Sequence, residues 1–429
     1  MKIAIEELYT IYLNHRIIST DSRQIIPGCI FFALKGESFD GNKYAATSIS
    51  AGADYAVIDD PSMDGDQMLL VKDVLSTLQQ LACMHRRKFD IPVIAITGSN
   101  GKTTTKELIN CVLSRQYIIT ATLGNFNNHI GVPLTLLNIT DKTQIAIIEM
   151  GANHQGEIAE LCKIAEPTHG LITNIGKAHL GGFGGFEGVI KAKNELNTWL
   201  GKSGGIVFVN AGNQLLMSLT TGMSRVLYGN QEGAQTKGKV REGTTNLELD
   251  WVSDSGKLEV KTNLVGNYNF ENVMAAICIG SYFHVPSTKI ISAIHSYQPS
   301  NSRSQALKTS RNSIILDAYN ANPTSMFLAI ENFRQLKSQP KMLILGDMLE
   351  LGEESLPEHL TIVNQIMAGS FDKVVLVGPA FKEVAKNKFL CFPTSDEVQE
   401  WLLQQQLGGY TILIKGSRGI RMEKVLAAL

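Results

Sequence analysis

Gly98-Ser99-Asn100-Gly101-Lys102-Thr103-Thr104 is the segment best suited to chemistry in this chain. The apolar run Val93-Ile94-Ala95-Ile96-Thr97 before it predicts a buried strand, and Thr104 to Leu113 after it predicts a helix. A glycine loop between a strand and a helix start turns backbone N–H groups and the positive end of a helix toward one point, which suits phosphate. In such loops the lysine, here Lys102, pairs with the β- and γ-phosphates of a nucleotide, and the next hydroxyl, here Thr103, ligates Mg²⁺. The usual pattern has another glycine five positions before Gly101; Ile96 stands there, so this loop is a shortened form. A glycine turn that merely punctuates a helix start is the competing reading, and a buried strand ahead of Gly-Lys-Thr disfavours it.

Other residues have the right types to meet a metal-bound phosphate. Glu149 closes the run Ile145-Ala146-Ile147-Ile148 at a strand end, the edge where α/β proteins gather their sites. A carboxylate there reaches phosphate-bound Mg²⁺ or caps the next turn. His179 follows the run Leu171-Ile172-Thr173-Asn174 and, taken alone, reads as a hydrogen-bonded structural histidine. Lys193 lies in a predicted helix over 187–200 whose apolar face holds Val189, Leu196 and Leu200. At about 100° per residue Lys193 falls on that face, while Lys191 falls opposite with Glu187, Glu195 and Thr198. An inward lysine is driven toward the neutral amine, the form that reacts with CO₂ to give a carbamate. A stem on apolar surface with its amine reaching water is the alternative.

The string from Thr97 to Glu107 resembles the ATP loop of the Mur ligase family, in which the short loop is the family's own form. Ordered matches run along the whole chain: Thr20-Asp21-Ser22-Arg23, Gly124-Asn125-Phe126-Asn127-Asn128, Glu149-Met150-Gly151, Ala178-His179-Leu180, Ala192-Lys193, Asp317 to Pro323, Gly346-Asp347-Met348 and Lys415-Gly416-Ser417-Arg418. Asp317-x-Tyr319-Asn320-Ala321-Asn322-Pro323 with Gly346-Asp347-Met348-x-Glu350-Leu351-Gly352 resembles the branch that adds D-alanyl-D-alanine, and the Asp-Asn-Pro-Arg string of the tripeptide-forming branch is absent.

The resemblance implies an ADP-forming ligase that joins D-alanyl-D-alanine to UDP-N-acetylmuramoyl-tripeptide through an acyl phosphate, in bacterial cell-wall synthesis. It places ATP on Gly98, Ser99, Asn100, Gly101, Lys102, Thr103 and Thr104, with Asn272 at the adenine and Arg303 and Asp317 at phosphate and ribose. It makes Lys102, Glu149, His179 and a carbamylated Lys193 the catalytic group, and Thr103, Glu149, His179 and Lys193 the ligands of two Mg²⁺ ions. Ser22, Arg23, Lys35 and Gly36 are implied at the uridine diphosphate, and Asn125, Asn127 and Asn128 near the muramyl-peptide arm. Asn320, Asn322, Lys415 and Arg418 are candidates for the dipeptide. Two departures stand out: Asn42 where relatives commonly have His, and Tyr268 replacing a frequent His in Gly266-Asn267-Tyr268-Asn269-Phe270-Glu271-Asn272. A folylpolyglutamate synthetase-like enzyme, an earlier cell-wall ligase, and a nucleotide-binding regulator that keeps the fold without ligation are the rival readings.

Elements must hold these residues in place, and 429 residues exceed what one core organises, which suggests about three domains. Residues 1–88 read as a small α/β domain with a helix over 75–89. Residues 89–298 read as a phosphate-loop parallel sheet with strands at 93–97, 145–149, 170–174 and 206–210, appended antiparallel hairpins over 226–265 and a helix over 269–283. Residues 299–429 read as a Rossmann-like doubly wound unit with strands at 314–316, 342–345, 374–377 and 412–414, and the polar stretch Pro299 to Ser304 marks the boundary. Two such domains on a hinge predict a cleft that closes on its substrates.

The net charge of −1 offers no broad field for nucleic acid or anionic lipid. The six cysteines show no Cys-x-x-Cys pair and read as reduced core thiols. Lys2, Glu6 and Glu7 interrupt any apolar signal core, and no run nears the ~20 apolar residues of a membrane span, so a cytoplasmic monomer is expected.

Overall fold

The structure, a computed structural model, describes residues 2–63, 65–242, 246–253, 256–299 and 303–429. The expected boundary Pro299 to Ser304 therefore falls partly on 300–302, outside the described residues. The chain forms two compact units: Met1–Ile96 with Tyr117–Ala152 and Glu157–His169, and Thr97–Gln116 with Asn153–Gly156 and Gly170–Leu429.

In the first unit the strands Ile18–Ser19, Ile30–Phe32, Tyr55–Ile58 and Met68–Leu70 pair in that order, all parallel. Alternate residues of these short strands point to opposite faces, so Phe31, Ala56 and Ile58 meet Ala45 and Ala53 in one apolar cluster. The same unit holds a parallel ladder of Ile119–Ala121, Ile145–Glu149 and residues 93–96 of the strand Val93–Thr97. Helix Val74–Arg86 is fixed at both ends. Asp73 caps it by accepting from the Ser76 N–H at 2.6 Å, and buried Arg86 donates to the carbonyl of Ala165 at 3.1 Å. Burial pulls the Arg86 guanidinium below its usual range.

The second unit opens with helix Lys102–Leu113 and includes helix Phe186–Ser203, which Gly204 ends in the left-handed conformation. Strands Ile206–Asn210, Ser224–Gly229 and Thr236–Val240 are parallel, and Asn246–Ser253 and Gly256–Val265 continue antiparallel. Antiparallel pairing, expected across 226–265, holds from 236 to 265, whereas the strand at 224–229 is parallel to both neighbours. A two-residue alternation is the same whichever way the partner runs, so direction is invisible in it.

A six-stranded sheet follows, in the order Gln305–Lys308, Ser313–Asp317, Thr411–Lys415, Lys341–Gly346, Lys373–Val377 and Leu390–Phe392. Only the first pairing is antiparallel. Ile315, Leu343, Leu345, Leu376 and Leu413 enter one core, and Ile314, Leu316, Met342, Ile344, Ile412 and Ile414 enter the other. That double burial explains why these strands read as unbroken apolar runs. The edge strands Gln305–Lys308 and Leu390–Phe392 had no such signal, being short and at most half-buried. Three of the six free cysteines, Cys83, Cys111 and Cys391, are half-buried rather than core.

Candidate active site

The phosphate loop is built by its glycines and by the segment 173–176. Gly101 has φ +79° and would bring a Cβ to 2.5 Å from Asn272 Oδ1; Gly98 has φ +141° and would drive a Cβ into the Thr173 hydroxyl. Both positions therefore exclude a side chain on two counts. The Ser99 hydroxyl donates to the Gly176 carbonyl at 3.0 Å and accepts from the Gly176 N–H at 2.9 Å. The Asn100 N–H donates to Asn174 Oδ1 at 3.0 Å, and the Thr173 hydroxyl donates to the Asn100 carbonyl at 2.6 Å. The strand expected over 170–174 accordingly ends at Ile172, its last two residues being drawn into the loop. Lys102 Nζ donates to the carbonyls of Gly98 at 2.6 Å and Ser99 at 3.2 Å, which holds the ammonium across the loop's mouth.

The helix begins at Lys102, not at Thr104 as expected, because left-handed Gly101 ends the loop two residues earlier. Lys102 and Thr103 thus belong to a first turn whose N–H groups have no carbonyl four residues back within the helix. Asn100 carries a buried Nδ2 with no hydrogen-bond partner, while its Oδ1 accepts from Asn322 Nδ2 at 2.7 Å. Asn272, expected at the adenine, has both carboxamide atoms occupied: Oδ1 accepts from the Thr105 hydroxyl at 3.0 Å and Nδ2 donates to Asn269 Oδ1 at 2.9 Å. Its geometry is that of a support beneath the loop.

Glu149 is 1% exposed at the end of its strand, with its N–H donating to the Thr122 hydroxyl at 3.0 Å. Asn127 Nδ2 donates to Glu149 Oε1 at 2.9 Å, and the Asn127 carbonyl accepts from the Gly151 N–H at 2.7 Å. Asn128 caps helix Gly131–Leu137 by accepting from the N–H groups of Ile130 and Gly131. Asn125 offers its carbonyl to the Asn127 N–H at 2.7 Å. Of these asparagines only Asn127 orients a carboxylate.

His179 occupies left-handed backbone with φ +52°, and its Nδ1 faces the carboxylate of Glu350, to which sequence assigns no role. That contact holds the Glu350 carboxyl below its usual range, against the opposing push of burial. Lys193 is 2% exposed, with its ammonium 5.1 Å from the Phe183 ring centre, while Lys191 is exposed, as the helix periodicity requires. Among the described residues no three His, Cys, Asp or Glu side chains converge as a ready-made cage. Magnesium is normally held by few protein oxygens, with phosphates and water supplying the rest, so a hydroxyl and a carboxylate suit it.

Asp317, Lys415 and Gly346 end adjacent parallel strands, and Asp317 and Lys415 are register partners. Lys415, only 1% exposed, donates to Asp317 Oδ2 at 2.5 Å and to the Asn320 carbonyl at 3.2 Å. The Ser304 N–H donates to Asp317 Oδ1 at 3.1 Å, and Ser304 Oγ meets the Tyr268 hydroxyl at 2.7 Å. Burial pushes the Tyr268 phenol up, keeping it a neutral donor. Asn320 Oδ1 accepts from the Ala321 N–H at 2.9 Å, and Asn322 closes a capping box with Ser325 at the start of helix Pro323–Gln335. The Arg303 guanidinium lies 3.6 Å from the centre of the Tyr319 ring and that of Arg418 lies 5.5 Å from it, so Tyr319 is a platform for two cations that spacing alone did not reveal. Arg303 Nε is buried without a partner.

In the first unit Arg23 forms a two-pronged pair with Asp21, which lowers the Asp21 carboxyl to about 2, and Ser22 is half-buried in the same turn. Lys35 Nζ lies 2.7 Å from Asp59 Oδ1. Asn42, the departure from the family pattern, is 1% exposed and donates to both Asp40 and Asp59 at 2.8 Å. Burial pushes the Asp59 carboxyl up, and its bonds to Lys35 and Asn42 outweigh that and hold it low. Asn42 thus fixes the partner of Lys35. A Cβ on Gly36 would come 2.7 Å from the Phe39 ring.

Comparison with known proteins matches three stretches of the chain to one family. Residues 14–86 match the Mur ligase family catalytic domain, 96–280 the Mur ligase middle domain and 302–418 the Mur ligase glutamate ligase domain. The chain is 34% identical to the UDP-N-acetylmuramoyl-tripeptide--D-alanyl-D-alanine ligase of Bacillus subtilis, covering 96% of this chain and 92% of that one. It is 33% identical to the Escherichia coli protein of the same name, covering 96% and 93%. Among solved structures, MurF from Acinetobacter baumannii matches with a TM-score of 0.87 at 33% identity, covering 96% and 92%. MurF ligase from Thermotoga maritima in complex with ADP matches with a TM-score of 0.85 at 27% identity, covering 97% of each chain. A folylpolyglutamate synthase from Mycobacterium tuberculosis shares the fold at 12% identity with a TM-score of 0.63. The α/β class expected from the sequence is the one these structures share.

Proposed function

The chain belongs to the Mur ligase family, and from that premise we propose that it joins D-alanyl-D-alanine to UDP-N-acetylmuramoyl-tripeptide at the expense of ATP, giving the pentapeptide precursor of peptidoglycan. The observation that carries this is the loop Gly98–Thr104, with Lys102 opening a helix, in a chain that aligns over 96% of its length with dipeptide-adding ligases.

The tripeptide's terminal carboxylate attacks the γ-phosphorus, ADP departs, and an acyl phosphate forms. The D-alanyl-D-alanine amine adds to the acyl carbon and loses a proton to solvent, and the tetrahedral intermediate collapses with loss of inorganic phosphate. Nothing in this sequence needs a protein nucleophile; the protein's part is positioning and charge compensation. The first-turn N–H groups and Lys102 receive the β- and γ-phosphates. Thr103 and Glu149 would each offer an oxygen to Mg²⁺, whose charge would offset the repulsion between carboxylate and triphosphate. His179 and Lys193 would hold a second. A carbamate on buried Lys193, formed when its neutral amine adds to CO₂ and releases a proton, would supply an oxygen donor in place of the amine.

Arg303 and Asp317 serve the nucleotide, and Asn320, Asn322, Lys415 and Arg418 the dipeptide. The buried, unpartnered Nδ2 of Asn100 and Nε of Arg303 support a polar ligand beside them. Ser22, Arg23, Lys35 and Gly36 hold the uridine diphosphate, and Asn127 keeps Glu149 aimed. The segments 1–88, 89–298 and 299–429 divide this work between nucleotide sugar, ATP and dipeptide. No helix of the described residues is long and apolar enough to cross a membrane, and we place the protein in the cytoplasm as a monomer.

The test is incubation of the purified protein with ATP, Mg²⁺, D-alanyl-D-alanine and the lysine or diaminopimelate form of the nucleotide tripeptide, followed by mass spectrometry. A pentapeptide with matched ADP is expected from one of them. Product formed instead with a single amino acid or a folate, or none with any acceptor despite ATP binding, would replace this reading with one of its rivals.

A further inference from the structure

His179 and Glu350 both sit in left-handed backbone, at φ +52° and +65°. For residues other than glycine this conformation costs about 1 kcal/mol or more each. Both are spent on one contact, Nδ1 of His179 against Oε2 of Glu350. Their side chains are 24% and 60% exposed, and a pair so open to water contributes little to stability, about 0–1 kcal/mol. Two strained residues held for a bond worth so little point to orientation rather than stability as its purpose.

The surrounding segments are built to keep the two together. A Cβ on Gly352, itself at φ +58°, would lie 3.3 Å from Gly181 Cα, tighter than ordinary contact. The Lys177 N–H donates to the Thr324 hydroxyl at 3.2 Å, and Lys177 Nζ donates to Glu358 Oε1 at 2.5 Å. A carboxylate at neutral pH only accepts, so the ring nitrogen facing it carries the proton. In a neutral imidazole the lone pair then belongs to Nε2. Ligating histidines commonly donate their other N–H to a carboxylate, which fixes tautomer and ring direction.

The geometry points to Glu350 as a positioning residue that fixes His179 as the Nδ1–H tautomer and so presents Nε2 as the donor for the divalent cation that accompanies ATP. This rests on the reading of His179 as a metal ligand. It also makes the metal site depend on the 346–352 segment, far along the chain from the phosphate loop.

Two readouts on the full-length protein test it. Nitrogen-15 NMR of histidine-labelled protein, without metal and near pH 8, reports the His179 tautomer, with His179→Ala supplying the assignment. Manganese affinity in the presence of a non-hydrolysable ATP analogue, followed by electron paramagnetic resonance, reports the site. The wild type is expected to carry its proton on Nδ1. Glu350→Ala moves the proton to Nε2 and weakens manganese binding about 10- to 100-fold. Glu350→Gln, whose amide oxygen still accepts, keeps the tautomer and loses less affinity. A wild-type proton on Nε2, a doubly protonated ring, or a tautomer indifferent to Glu350→Ala overturns the inference. So does unchanged manganese affinity in Glu350→Ala where His179→Ala weakens it. If His179→Ala itself leaves manganese affinity unchanged, the metal reading of His179 is the part that fails, and the inference falls with it.

Discussion

Lys193 concentrates the chemistry of a single residue. It shares the buried face of helix Phe186–Ser203 with Val189, Leu196 and Leu200, and its amine lies beside the Phe183 ring. Burial disfavours the ammonium, while the ring face favours it, and the carbamate forms only where the first effect prevails. Lys193→Ala is expected to lose turnover severely while still binding ATP, and to regain part of it in a small added carboxylate such as acetate; near-normal rates without rescue would remove the carbamate from the account. The inward placement of this lysine was legible from helix periodicity alone. His179 was not, since its backbone conformation and its partner Glu350 are set by segments remote in sequence. Nor was the engagement of Asn272, whose motif suggests a base contact while its two amide atoms bond Thr105 and Asn269.

At the scale of elements, the strand-loop-helix of the phosphate site depends on Gly101. An alanine there meets both a left-handed backbone, costing about 1–2 kcal/mol, and a 2.5 Å approach to Asn272. Gly101→Ala is therefore expected to weaken ATP binding about tenfold or more by calorimetry while the far-ultraviolet circular dichroism stays unchanged; wild-type affinity would mean the loop is not held as described. Strands buried on both faces were readable as apolar runs, whereas the two edge strands and the direction of the strand at 224–229 were not. What decides those is the hydrogen-bond ladder, which leaves no mark on polarity.

Helix Val74–Arg86 adds a pH effect. His85 is fully buried: its Nε2–H donates to the Ile139 carbonyl at 2.8 Å, its Nδ1 accepts from the Tyr9 hydroxyl at 3.1 Å, and burial lowers its ring. Burial likewise lowers His169 to about 4. Both folded values lie below the unfolded value of about 6.5, so the unfolded chain binds more protons on acidification. Their contribution is complete above pH 6.5 and is lost as pH falls toward 4. Denaturant midpoints should decline across that window, and less steeply once His169 is replaced by Gln.

For the molecule as a whole, residues proposed to serve ATP, nucleotide sugar and dipeptide come from segments spread along the chain, and a single chemical event has to draw on all of them. The event proposed is transfer of the γ-phosphoryl group onto the tripeptide's terminal carboxylate, where Lys102 and divalent cations would compensate charge. Heavy-oxygen labelling of that carboxylate follows the transfer directly. If an acyl phosphate forms and the dipeptide amine displaces phosphate from it, one labelled oxygen appears in the inorganic phosphate and the other stays in the new amide carbonyl. Unlabelled phosphate, or label recovered in AMP, would contradict the account.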